Sequence, residues 1–159
     1  MKRPLAYLWS LSGATVLVGF VICALSPSEI KAAAWNGIEP LKSTRTDVLQ
    51  VLGKPISESS AGALRFSVAG GTVLVSFVDD KFVTSKRLRP EVAGTVLEIV
   101  LQHDRSSDTA ESMNLLKNPN FVHDDMQNTT VFRNTKAGLI YTFFEGRLRT
   151  TRYTFSDAP

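Results

Sequence analysis

A chain of 159 residues has room for one domain, or for two small halves sharing a core. Its hydrophobic content of 43% and charged content of 21% are those of a folded protein and exclude a disordered chain. The net charge of +3 lies mostly in the first 34 residues: setting aside Lys2, Arg3, Lys31 and Glu29 reduces 18 basic and 15 acidic residues to 15 and 14. The body from Trp35 onward is near neutral, so composition points to no nucleic-acid partner.

Lys2 and Arg3 precede an uncharged apolar run over residues 5–25. A positive start followed by such a run is the pattern of an export signal, and its length also suits a membrane-spanning helix. The expectation is therefore that residues 1–34 form a signal peptide or N-terminal membrane anchor. Cleavage after Ala34 would release the body, and retention would hold it to the membrane through residues 5–25. In both cases the body is expected outside the cytoplasm, periplasmic or secreted. The single cysteine, Cys23, lies in this leader behind Ile22 rather than the small residue a lipidation site requires. The body thus has no disulfide, thiolate metal site or cysteine nucleophile.

The body, 35–159, opens with the clearest local signals. Thr44 and Asp47 have capping-box spacing, Val48, Val51 and Leu52 form an apolar stripe, and Gly53 and Pro55 end it. This predicts a helix of two to three turns. Alternation predicts strands at 64–68 and 72–78, joined by a turn at Ala69, Gly70 and Gly71. A basic connection with Lys81, Lys86, Arg87 and Arg89 leads to a strand at 95–101. A second short helix is predicted at 108–117, from Ala110, Met113, Leu115 and Leu116 on one side and Pro119 beyond. Strands follow at 130–133, 139–144 and 147–155.

This order predicts an α+β fold, an antiparallel sheet with two short helices on one face, with a β-sandwich as the alternative. Helix, strand, turn, strand, strand recurs, and the halves 35–104 and 105–159 read as a tandem repeat. The run G-I-x-P-L-x-S-T-R-x-D-V-x-x-x-L-G-K-P, here Gly37 to Pro55, resembles the start of a group of uncharacterised exported bacterial proteins. It is also distantly similar to the outer-membrane-assembly lipoproteins of the SmpA/OmlA type, where a helix and an L-G-x-P stop precede a small antiparallel sheet. The tandem order is similar to that of the β-lactamase-inhibitor proteins, which present a concave sheet to a partner. These resemblances imply a protein-binding module and carry over no catalytic residue.

Chemistry is sparse in the sequence. His103 and His123 are each followed by aspartate, a competent ligand set for a divalent ion, though at no recognised metal-motif spacing. They define the alternative function, a metal-dependent hydrolytic activity. No nucleophile elbow, phosphate loop or dinucleotide fingerprint is present, and no cofactor is expected. The leading expectation is a non-enzymatic extracytoplasmic module that binds a protein or envelope component. Arg147, Arg149, Arg152 and Tyr153 on the last strand are its candidate binding residues, because arginine with tyrosine is a composition interfaces favour.

Overall fold

Alternation of apolar and polar residues shapes most of this structure, a computed structural model that describes residues 32–156. The apolar leader, with Cys23, lies outside the described residues. Among the described residues no helix is long and apolar enough to cross a membrane. In chain order the elements are α1 (Arg45–Leu52), β1 (Ser57–Glu58), β2 (Leu64–Val68), β3 (Gly71–Phe77), α2 (Asp80–Lys86), β4 (Val96–His103), β5 (Val122–Met126), β6 (Thr129–Asn134), β7 (Leu139–Phe144) and β8 (Arg147–Thr154).

The eight strands form one antiparallel sheet in the order β1-β2-β3-β4-β8-β7-β6-β5. Each half is a four-stranded meander, and the last strands, β4 and β8, pair at the centre, where Leu101 faces Thr151. The β2–β3 turn is tight because Val68 already pairs with Gly71, leaving Ala69 and Gly70 as the loop. Gly70 takes the positive φ (81°) such a loop requires. At Gly71 a Cβ would fall on the carbonyl oxygen of Gln102, so the close approach of β3 and β4 depends on glycine there.

Strand register separates the two faces. One carries Leu64, Phe66, Val73, Val75 and Ile99 in the first half and Phe132, Phe143 and Leu148 in the second, all buried. Over the first half lie Ile38 and α1, whose Val48 is fully buried. Thr44 and Asp47 close the capping box reciprocally, Thr44 N–H donating to the Asp47 carboxylate at 2.7 Å and Asp47 N–H to Thr44 Oγ1 at 3.3 Å. Gly53 ends the helix with its N–H on Leu49 O. The expected stripe is narrower than its spacing suggested. Val48 is buried and Leu52 packs on the core, but Val51 is 49% exposed.

The second half is covered differently from expectation. Residues 108–117 do not form a helix but make a single turn. Thr109 and Ser112 cap each other, and Leu115 N–H returns to Ala110 O while Asn114 N–H returns to Glu111 O. That pair of bonds is a Schellman stop, with Asn114 left-handed at φ 54°. Start and stop signals sit within one turn of each other, so the apolar residues beyond Asn114 pack individually. Ala110, Met113, Leu115 and Phe121 still cover Phe132, Phe143 and Leu148. The second helix is instead α2, in the basic connection, where Asp79 accepts from Phe82 N–H at 2.7 Å. None of its residues is buried, which is why apolar periodicity did not reveal it.

Candidate functional site: the open face of the sheet

The opposite face mixes apolar and polar residues and, among the described residues, neither core cluster lies on it. A single row of cross-strand partners runs along it through Arg65, Leu74, Val100, Arg152, Ile140, Arg133 and Val122. Beside it, Thr72, Gln102, Thr150 and Thr142 form a row of hydroxyl and amide groups that ends at Val131 and Asp124. Val131 is the one buried side chain among these positions, and it belongs to neither core cluster.

The arginines of the row are held in place by partners on the same face. Arg65 Nη1 donates to Gln102 Oε1 at 3.0 Å, and Thr72 Oγ1 donates to the same oxygen at 3.1 Å. Arg152 Nε lies 3.5 Å from Glu98 Oε2, and Arg133 pairs with Asp124. These pairs are solvent-exposed and stabilise little, but they hold long cationic side chains along the sheet between aliphatic ones. Toward the other end of the second half, Met126, Thr129, Phe144 and Arg147 continue the face. Val122, Met126 and Phe144 are among the large apolar residues left exposed. The result is a broad surface mixing guanidinium, hydroxyl and apolar groups.

The four residues expected to bind are divided by this geometry. Arg152 lies on the open face, at the centre of the row from Arg65 to Val122. Arg147, at the start of β8, donates to Ser107 O, and Arg149 stands exposed where the β7–β8 register shifts. Tyr153 points to the covered face, packs on the first-half core, and has its phenol pKa raised by burial. A one-residue step along a strand reverses the side chain, so adjacent Arg152 and Tyr153 do not serve one surface. Sequence reading missed Arg65, Arg133, Ile140 and Leu74, since only cross-strand register aligns them with Arg152.

The two histidines are not brought together. His103 ends β4 and His123 lies on β5, four strands away in the sheet, about 19 Å at the usual strand spacing. The expected site joining them is therefore not formed, and among the described residues no group of three or more metal-ligating side chains is present. His103 Nε2 lies 3.0 Å from Thr151 Oγ1, and its pKa is lowered, chiefly by burial and partly offset by Asp108. His123 stacks on Phe132 with ring centres 5.1 Å apart. Each adjoins a cavity, of about 230 Å³ beside His103 and about 240 Å³ beside His123. Both volumes fall below the ~300–1,000 Å³ usual for small-molecule sites. Asp124 and Asp125 point to opposite faces, toward Arg133 and Thr130 respectively.

Comparison with family models, with curated proteins and with solved structures finds no match for this chain.

Proposed function

We propose that this chain is a non-enzymatic, extracytoplasmic binding module whose open sheet face engages another protein or an envelope component. The observation that carries the reading is the contrast between faces: one is filled with buried side chains under its cover, while the other presents arginine, threonine and aliphatic residues in register. Seven strand spacings by five or six residues give a projected area of roughly 600 Å². That is the order of one side of a standard protein interface, about 800 Å². The apolar leader motivates the extracytoplasmic location, either anchored or released. Two four-stranded meanders meeting at β4 and β8 support a tandem origin, and the capped α1 ahead of an antiparallel sheet supports the distant kinship with the SmpA/OmlA type.

The test is capture from a bacterial envelope extract with the wild-type chain and with a double variant, Arg152→Glu with Ile140→Arg. A specific partner held by the wild type and released by the variant is expected. No partner, or equal retention by both proteins, overturns the reading. Unchanged far-UV circular dichroism of the variant shows that the loss is one of surface and not of fold.

A further inference from the structure

The outer strand of the second half is the longer of the two free edges of the sheet. β5 pairs only with β6, and all five of its residues are exposed. The matching edge of the first half is β1, only two residues long. Which backbone groups of β5 are free follows from its turn. Gln127 and Asn128 form a two-residue loop between β5 and β6, so the flanking pair Met126 and Thr129 exchanges backbone hydrogen bonds. Alternation gives Asp124–Val131 and Val122–Arg133 the same role. The bond from Glu145 N–H to Asn128 O agrees, because it turns the even-numbered residues of β6 toward β7. The N–H and C=O groups of His123 and Asp125 therefore point out of the sheet, where a further strand can meet them.

The side chains of β5 divide by face. Val122 and Met126, 65% and 57% exposed, lie on the open face with Asp124 between them. His123 and Asp125 lie on the covered face, Nε2 standing 3.8 Å from Oδ2. About Asp124 the strand is complementary to its own reverse: apolar Val122 meets apolar Met126, and the His123 imidazole meets the Asp125 carboxylate.

We propose that two copies of this chain pair β5 against β5, antiparallel about a two-fold axis at Asp124, and join their eight-stranded sheets edge to edge. This register sets His123 opposite Asp125 of the second copy twice, so every outward N–H and C=O of both strands is used. On the covered face imidazole and carboxylate alternate across the join, and on the open face Val122 packs on Met126 twice. The one adverse contact is Asp124 against Asp124, and each of these carboxylates is paired with Arg133 of its own chain. Neighbouring registers fit less well. Centring on His123 sets histidine on histidine and brings Asp125 to Phe121, whose N–H is already held by Asn118 O. Centring on Asp125 sets carboxylate on carboxylate and runs His123 into the turn at Gln127, where φ is 47°. Opposed residues of an antiparallel pair share a face, so the open faces of the two copies become continuous. The pairing does not depend on the binding role given to that face.

The full chain, in a mild detergent that keeps residues 5–25 dispersed, is followed by sedimentation equilibrium across the micromolar to millimolar range. A five-residue strand makes a small contact, so a weak, reversible dimer is expected. His123→Asp sets carboxylate against carboxylate, and Asp125→Pro removes an outward N–H but no β5–β6 bond. Each should weaken the dimer at least about tenfold. His123→Asp with Asp125→His restores the complementary pairs and should return the dissociation constant to within about threefold of the wild type. Asp124→Thr removes the adverse contact and should tighten the dimer about threefold. The proposal is overturned if the chain stays monomeric throughout, or if His123→Asp and Asp125→Pro leave association unchanged, as association through residues 5–25 would be. Failure of the double exchange to restore the dimer, or weakening by Asp124→Thr, overturns the register about Asp124.

Discussion

The two halves reach the same four-stranded layout with unequal means. The first is closed by a capped helix and Ile38, and its core holds eight buried residues running from Ile38 to Ile99. The second is closed by one turn, and its core holds four: Leu115, Phe132, Phe143 and Leu148. Phe66 and Phe132 occupy corresponding places, each on the second strand of its meander and each 1% exposed. The better-covered half also has the shorter open edge. The lightly covered half carries the exposed Val122, Met126, Phe144 and Leu116 and the five-residue edge of β5. The difference suggests a division of labour in which one half anchors the sheet and the other presents surface.

The strongest way to break this comparison is to empty each core in turn. Phe66→Ala should cost about 4 kcal/mol and Phe132→Ala about 3 kcal/mol, the smaller cluster losing fewer contacts, as read by urea unfolding. If Phe132→Ala proves the costlier, the first half is not the anchor. Native-state hydrogen exchange on the Phe132→Ala protein should show the β5–β6 amides opening before those of β2–β3.

A smaller effect separates the two caps. Thr44→Ala removes a side chain that satisfies Asp47 N–H at the head of a two-turn helix, and should cost about 1 kcal/mol. Thr109→Ala removes the bond to Ser112 N–H at a single exposed turn, and should cost about half as much. Equal losses would show that the turn at 110–113 carries as much of the fold as α1.

The smallest expected effect is on pH dependence. Burial lowers the pKa of His103 below its ordinary 6.5 in the folded chain, so the unfolded chain takes up its proton first as pH falls. Stability should therefore decline from about pH 6.5 down to the folded pKa of His103, and His103→Gln should flatten that slope in chemical unfolding measured across pH 7 to 5. Asp47 acts in the same sense at lower pH. Thr44 holds its pKa down by hydrogen bonds from its backbone and side chain, so its contribution is present above 3.8 and disappears as pH falls through the folded pKa. A slope unchanged by His103→Gln would place the acid sensitivity elsewhere.

Local chemistry made much of this fold legible in the chain itself. The Thr44–Asp47 box and Gly53 mark both ends of α1, and the alternation around the Ala69–Gly71 turn announces β2 and β3. Those signals act within a few residues, where capping bonds and side-chain period are decided. The same logic misjudged residues 108–117, because Asn114 stops the helix inside an apolar run that otherwise reads as continuous. It also passed over β5, whose sequence Val-His-Asp-Asp-Met lacks strand propensity and becomes a strand by pairing with β6.

The candidate surface was less legible for a related reason. That Arg152 is exposed and Tyr153 tends to pack follows from residue type. That Arg152 stands in line with Arg65 and Arg133 across the sheet follows only from register. The chain by itself determined the near-neutral body, the absence of thiol chemistry in it, the first helix and the hairpins, all set by composition or short-range bonding. Only the tertiary structure decided that β4 meets β8, that His103 and His123 lie far apart, and that both core clusters of the described residues lie on one face. Those outcomes depend on which strands pair over long sequence separations, and no local interaction encodes that choice.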